Sequence, residues 1–128
     1  MSEDKYKLAL EILGKIHAKT GGEEVSGTLK DLSPSFAKAG ITFGFGEIYG
    51  DPIFDLRHRE IMTVAILTAL DRERELKLHI GSALNVGLTP KEIVAIIAHA
   101  SVLAGMPVAL SGLILAKEVF DSRGVSVE

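Results

Sequence analysis

The chain has 128 residues, 47% of them hydrophobic, and a net charge of −3, which suits one globular domain, expected here over residues 1–128. It contains no cysteine, which excludes disulfides, thiolate metal sites and thiol chemistry. The acidic balance gives no electrostatic reason to expect nucleic acid or an anionic membrane as a partner.

The first part of the chain predicts two helices separated by a loop. Apolar residues at helical spacing predict a helix over residues 3–20, which a Gly-Gly pair ends. Residues 23–32 are interpreted as a loop with at most one helical turn. A serine followed by a first-turn proline then predicts a helix over residues 34–48, although its glycines weaken it by about 1 kcal/mol each relative to alanine.

The second part predicts four more helices with clear start and stop signals. Asp55 is a cap, Gly87 is a stop, and Thr89 with Glu92 forms the pattern of a capping box around a first-turn proline. The predicted helices span residues 56–70, 72–86, 90–104 and 107–121. No stretch alternates with period two for long, so the expected fold class is all-α, with about six to seven helices in a single domain.

The most apolar segment, residues 93–115, has the length of a membrane span. A Gly-Met-Pro sequence divides it, and it contains histidine and serines, so two buried helices are the preferred interpretation and no membrane partner is expected. Helices this apolar in so short a chain are expected to be covered by another subunit. The charged first residues, MSEDKYK, do not fit a secretory signal, and we expect a cytoplasmic protein.

Glu75 and His79 are the first candidate site residues. They lie four residues apart on one helix face, where a carboxylate can hydrogen-bond an imidazole and favour its protonated form. A solvated surface pair is an equally simple interpretation. A metal site is a third, but that helix has no second histidine, and we expect no metal.

His99 lies in the apolar sequence IVAIIAHASVLAG and is the second candidate. A buried imidazole needs a partner, because an unpaired buried polar group costs about 1–3 kcal/mol. Two interpretations stay open. In one, His99 is a core histidine bonded to a backbone carbonyl; in the other, it faces a pocket shared with His79.

Charged residues near two predicted helix ends complete the set. Charge blocks at helix ends, such as RHRE at residues 57–60, are most often solvated. Arg59 and Glu60 stand closest to the apolar sequence that follows, however, and could point inward. Glu47 lies in FGFGEIYG, where glycines permit close backbone approach. The aromatic residues of that segment either wall a small pocket or belong to the core.

A family resemblance adds to these patterns. Residues 56–110 read LRHREIMTVAILTALDRERELKLHIGSALNVGLTPKEIVAIIAHASVLAGMPVAL and contain E-x-K-x-H-x(3)-A-x(3)-G followed by A-G-M-P. In these features, and in FGFGEIYGDP upstream, the chain resembles the carboxymuconolactone decarboxylase family along nearly its whole length. The resemblance implies an all-α, alkylhydroperoxidase-like fold and a ring-shaped homohexamer. A sister branch of alkylhydroperoxidase-like enzymes requires a CxxC pair, so thiol peroxidase activity is excluded here.

The resemblance also implies an activity: cofactor-free decarboxylation of 4-carboxymuconolactone to 3-oxoadipate enol-lactone in protocatechuate catabolism. The hypothesis makes His79 the proton donor, oriented by Glu75. His99 is the expected hydrogen-bond donor to the lactone oxygen. No cofactor is expected, because the unsaturated lactone accepts the electron pair that the departing CO2 leaves behind.

The remaining charged candidates are expected to bind or orient the substrate. Arg59 or Arg72 would anchor its second carboxylate as a bidentate partner. Glu47 and Glu60 would orient these groups. Two other functions stay open: a cofactor-free enzyme acting on another small acidic lactone or acid, and a non-catalytic oligomeric protein that binds a small molecule.

Overall fold

The computed structural model describes residues 2–128, which form seven α-helices and one π-helical segment, with no strand in that range. The helices are α1 (Ser2–Ile16), α2 (Gly22–Leu32), α3 (Pro34–Ile41), α4 (Leu56–Ala69), α5 (Glu73–Asn85), α6 (Pro90–Ala104) and α7 (Met106–Arg123), and the π-helical segment is Thr42–Ile48. The all-α prediction is confirmed. Within residues 2–128, no helix combines the length and the apolar character needed to cross a bilayer.

The prediction of a loop over residues 23–32 is wrong, because this segment forms α2. Its first turn carries Glu23 and Glu24 and its last turn carries Lys30, charges that complement the helix dipole. Gly21, with φ +83°, is the left-handed residue directly before α2 and does not end α1. The first helix ends earlier than predicted, at Ile16.

The predicted helix over residues 34–48 has the right extent but changes character after Ile41. Over Thr42–Ile48 the hydrogen bonds run from residue i to i−5, and the bond from Tyr49 N–H to the Gly44 carbonyl continues this pattern at 3.0 Å. A Cβ at Gly46 would overlap the carbonyl oxygen of Lys5 on α1. The glycine therefore lets this segment pack directly on the backbone of α1.

The caps predicted in the second half are confirmed. Asp55 accepts a hydrogen bond from the His58 N–H at 2.9 Å and begins α4. Thr89 and Glu92 form the reciprocal capping box that begins α6, with bonds of 3.1 and 3.0 Å. Gly87 adopts φ +96° in the turn before it.

Two hydrophobic clusters build the core. The larger one joins α4, α5, α6 and α7 and contains Val64, Leu76, Ile80, Ala83, Leu88, Ile93, Ile97, Ala109, Ala116, Val119 and Phe120. The smaller one joins α1 and α3 and contains Ala9, Ile12, Leu13, Ile16 and Ile41. The C-terminal end of α1, the π-helical segment and the facing sides of α4 and α5 meet between the two clusters, and this junction positions the candidate site.

Large apolar side chains on α6 and α7 remain exposed in the single chain. Val102 and Leu103 are 75% and 87% exposed, and Met106, Leu110 and Ile114 are also exposed. An apolar surface of this kind is typical of an interface with another protein. The ring oligomer remains a prediction that this surface favours.

Candidate active site

The centre of the site is a hydrogen-bonded pair of side chains from α5 and α4. His79 Nδ1 lies 2.8 Å from Glu60 Oε1; Glu60 is completely buried and the His79 side chain is 14% exposed. A buried carboxylate is stable only when it is paired, so it fixes the orientation of the imidazole. Because Nδ1 faces Glu60, Nε2 is the ring nitrogen left for a substrate.

Tyr49 completes the environment of the buried carboxylate. Its hydroxyl donates to Glu60 Oε2 at 2.6 Å and also contacts the Thr63 hydroxyl. Since a phenol has one hydrogen, Thr63 is the donor in the second contact. Burial first, and then the negative charge of Glu60, raise the pKa of Tyr49 above its usual range, so the phenol stays protonated. Both oxygens of Glu60 therefore have donors.

The sequence places these groups together by simple local rules. Glu60, Val64 and Thr68 follow each other at intervals of four and form the buried side of α4. Thr63 lies one turn after Glu60, near the same face. The π-helical segment, which packs on α1, then delivers Tyr49 to this face.

His17 is a fourth group in the site, and the sequence pattern did not indicate it. It directly follows α1 and is only 9% exposed. Its ring meets the His79 ring edge-on, with centroids 6.4 Å apart, and the Phe45 ring at 6.0 Å. Burial first, and then the charge of His79, lower the pKa of His17. The available signal was its position next to Ile16, at the end of the apolar stripe of α1.

The predicted contact between Glu75 and His79 is wrong. Glu75 lies 3.4 Å from Arg72 Nε and 3.1 Å from Arg74 Nε, both on exposed side chains. Residues at i and i+4 share a helix face, but the His79 ring turns toward α4 and meets Glu60 there. Glu60, expected only among the orienting groups, takes the place assigned to Glu75.

The two candidate arginines are placed differently. Arg72 is 63% exposed and paired with Glu75. Arg59 stands next to Glu60 in the chain, its guanidinium lies 5.4 Å from the Phe54 ring centre, and Nη2 donates to the Asp51 carbonyl at 3.2 Å. The Arg59 Nε is buried and has no hydrogen-bond partner among residues 2–128. Such a buried N–H without a partner is rare in proteins and marks Arg59 as a candidate for binding a ligand group.

His99 and Glu47 do not join the site in the single chain. His99 is exposed on α6 and lines a shallow groove of about 290 Å³ with apolar residues of α4 and α6. The two interpretations that placed His99 in the core or in a pocket with His79 are both wrong. Ile93, Ile97 and Ala100 form the inner face of α6, and because the sequence around His99 is apolar on every side, it did not indicate which face is buried. Glu47 is exposed and lines a separate groove of about 440 Å³.

No group of three or more histidine, aspartate or glutamate side chains arranged to hold a metal ion occurs in the described part of the chain. The site instead combines an imidazole with a free nitrogen, a buried carboxylate that holds it, a second imidazole, and a nearby guanidinium. These groups can donate a proton, donate hydrogen bonds and bind a carboxylate.

Comparison with known proteins places the chain in a family. The family model of the carboxymuconolactone decarboxylase family matches residues 34–118. The chain is 33% identical to the 4-carboxymuconolactone decarboxylase of Acinetobacter baylyi, over 98% of this chain and 94% of that protein. It is 29% identical to the nitrosuccinic acid decarboxylase npaB of Metarhizium robertsii, over 79% of this chain and 73% of that protein. The chain therefore belongs to the carboxymuconolactone decarboxylase family.

Proposed function

We propose that the chain is a cofactor-free carboxy-lyase and that it converts 4-carboxymuconolactone to 3-oxoadipate enol-lactone and CO2 in protocatechuate catabolism. Both named relatives are decarboxylases, which supports the class of reaction. The structural observation that carries the proposal is the His79 ring, held at Nδ1 by the fully buried Glu60 and open at Nε2. This arrangement suits a proton donor.

The chemistry of the substrate explains why a proton donor is the main requirement. The departing carboxylate sits on the ring carbon γ to the lactone carbonyl. When its C–C bond breaks, the electron pair moves through the ring double bond to the carbonyl oxygen and forms a dienolate. The α carbon then takes one proton. The substrate is its own electron acceptor, so the protein has only to bind, stabilise charge and protonate.

His79 supplies the proton in this proposal. Its ring is held at Nδ1 by the carboxylate of Glu60, which in turn accepts a hydrogen bond from Tyr49. The Nε2–H bond breaks as the bond from hydrogen to the α carbon forms, and water later returns one proton to His79. A well-placed general acid contributes a factor of about 10²–10⁴ to the rate.

Arg59 is the better candidate of the two arginines for the second carboxylate. Its buried Nε has no protein partner, whereas Arg72 is exposed and already paired with Glu75. A guanidinium edge binds a carboxylate through two parallel hydrogen bonds. The contact with Phe54 and the bond to Asp51 hold the guanidinium plane in place. A role for Glu47 or His99 in substrate binding would require a neighbouring subunit.

A second substrate is favoured by one specific observation, the similarity to a nitrosuccinic acid decarboxylase. In a 2-nitro acid the nitro group can accept the electron pair that CO2 leaves behind, and the resulting carbanion is again protonated at carbon. The same acid, His79, and the same carboxylate anchor, Arg59, serve either compound. The lactone ranks first because its relative matches more of the chain at higher identity.

The test offers both acids to the purified, assembled protein and follows CO2 release and product formation. The proposal predicts CO2 and enol-lactone in equal amounts from 4-carboxymuconolactone. Turnover of nitrosuccinic acid alone would identify that acid as the substrate in place of the lactone, while the proposed reaction class, decarboxylation, would stand. Binding of both acids without CO2 release would favour the non-catalytic binding protein.

We also propose that the working form is a ring-shaped homohexamer and that the protein is cytoplasmic. The exposed apolar side chains of α6 and α7, such as Leu103, favour an assembly. Sedimentation velocity measures the assembly directly. A monomer at micromolar concentration would contradict it.

A further inference from the structure

His17 is a largely buried polar side chain that packs against Phe45 and Gly22. Its exposure is 9%, and among residues 2–128 the buried side-chain nitrogen without a partner is Arg59 Nε, so the His17 ring nitrogens are open to water or a ligand. A polar ring this far inside the protein, with nitrogens that no protein group engages, is suited to contact a bound molecule. A ligand or water that enters the site would supply the missing partner.

The position of His17 connects the site to solvent. On one side its ring meets His79 at 6.4 Å between centroids. On the other side it lines a cleft of about 210 Å³ between α1 and α2, whose walls also include Leu13, Glu23, Ser26 and Lys30. A small molecule at the inner end of this cleft would contact His17.

The surrounding backbone is shaped to the imidazole. A Cβ on Gly22 would lie 2.7 Å from atoms of the His17 ring, closer than real carbon contacts allow. Phe45 holds the ring from another side in an edge-on contact. The ring is therefore fixed in one place, which is a requirement for a group that acts on a transition state.

The electrostatic surroundings favour the neutral form of His17. Burial lowers its pKa first, and the charge of His79 lowers it further, against smaller opposing effects of Glu60 and Glu23. A neutral imidazole carries one N–H and one acceptor nitrogen. It donates a hydrogen bond without competing with His79 as the proton source.

We propose that His17 is a second substrate-contacting residue, which donates its ring N–H to the oxygen on which negative charge develops as CO2 leaves. This inference rests on the proposed decarboxylation. The carboxylate C–C bond breaks, the electron pair moves to that oxygen, and His79 alone transfers a proton, to carbon. His17 keeps its proton throughout and takes the role first assigned to His99.

The separation of the two rings allows His17 to contact the oxygen while His79 protonates the carbon. A carbonyl oxygen and the carbon next to the carbonyl group are about 2.4 Å apart, from standard bond lengths and angles. Two donors at about 3 Å from these atoms can belong to rings whose centroids are 6.4 Å apart, as those of His17 and His79 are. His17 also lies outside residues 34–118, the part that the family model matches, so that match carries no information about it.

The test compares two substitutions at this position in the assembled enzyme. His17→Phe keeps a ring but removes the donor, and kcat should fall by about 100-fold or more, with a much smaller change in KM. His17→Gln keeps a donor and should recover most of the lost rate. His58→Phe is the matched control, because it removes an exposed imidazole that lies outside the site.

Three results would overturn the proposal. One is an unchanged kcat in His17→Phe. The second is that His17→Phe and His17→Gln lose the same fraction of kcat and the same number of degrees in Tm. That result would assign the ring to packing alone. In both cases the wild-type enzyme still turns over, so these failures are distinct from inactivity of the wild-type enzyme, which would refute the proposed function itself.

The third result comes from the wild-type protein and requires no variant to fold. Muconolactone, the lactone without the departing carboxylate, is added and the exchange of each imidazole C2 hydrogen with deuterium is followed by mass spectrometry. We expect slower exchange at His17 and His79 and no change at the exposed His58. Slower exchange at His79 with none at His17 would contradict the contact.

Discussion

Replacing Glu60 by glutamine separates its charge from its hydrogen bonds. In the structure one carboxylate oxygen accepts from His79 Nδ1 and the other from the Tyr49 hydroxyl. A glutamine oxygen can keep the bond to His79. Its NH2 can donate to Tyr49 if the phenol turns its hydrogen toward the Thr63 hydroxyl, which lies beside it. Every buried group then retains a partner, so Glu60→Gln should fold with a free energy of unfolding within about 1 kcal/mol of the wild type.

The same substitution should impair catalysis strongly. The variant lacks the carboxylate charge 2.8 Å from His79 Nδ1 that the general acid faces, so the general-acid contribution, a factor of about 10²–10⁴, should be largely lost. Steady-state CO2 release gives kcat, and urea unfolding gives the stability. Glu75→Gln is the matched control, since Glu75 contacts only Arg72 and Arg74, and it should keep kcat close to the wild-type value. Wild-type kcat in Glu60→Gln, or an equal loss in Glu75→Gln, would refute the reasoning.

Other predictions concern stability, pH and packing. Tyr49→Phe removes a donor to the buried Glu60 and should lower the free energy of unfolding by about 1–3 kcal/mol in urea titrations. Thr89→Ala removes the α6 cap and should cost about 1 kcal/mol by the same measurement. Because the folded pKa of His17 lies below its ordinary 6.5, the unfolded chain binds its proton first, so stability should fall as the pH drops below about 6.5, and less so in His17→Phe. Gly22→Ala should displace the His17 ring. We expect a clear fall in kcat, measured by CO2 release, and only a small fall in Tm, measured by thermal scans.

The sequence predicts the helix ends well where neighbouring residues set them. Asp55 and the Thr89–Glu92 capping box act within one turn, so their patterns can be read directly. Helix α2 was missed because Gly21 and Gly22 are typical of a helix end as well as of the turn before a new helix. The choice between these depends on how Gly22 packs against the His17 ring, a contact that helix-end signals do not specify.

The candidate site was predictable only in part, for a similar reason. His79 was identified, but its partner is 19 residues earlier in the chain and reaches it only through the packing of α4 against α5. The repeat of Glu60, Val64 and Thr68 was the available sign that Glu60 faces inward. Tyr49 could not be placed, because a π-helical segment rotates it relative to an α-helix and no sequence rule predicted that change.

The most direct test of the central claim is CO2 release from 4-carboxymuconolactone by wild-type protein and by His79→Gln, measured side by side at equal concentration of assembled enzyme. The account predicts steady turnover by the wild type and a loss of about 100-fold or more in the variant. No CO2 from the correctly assembled wild type, or equal rates for the two proteins, would contradict it.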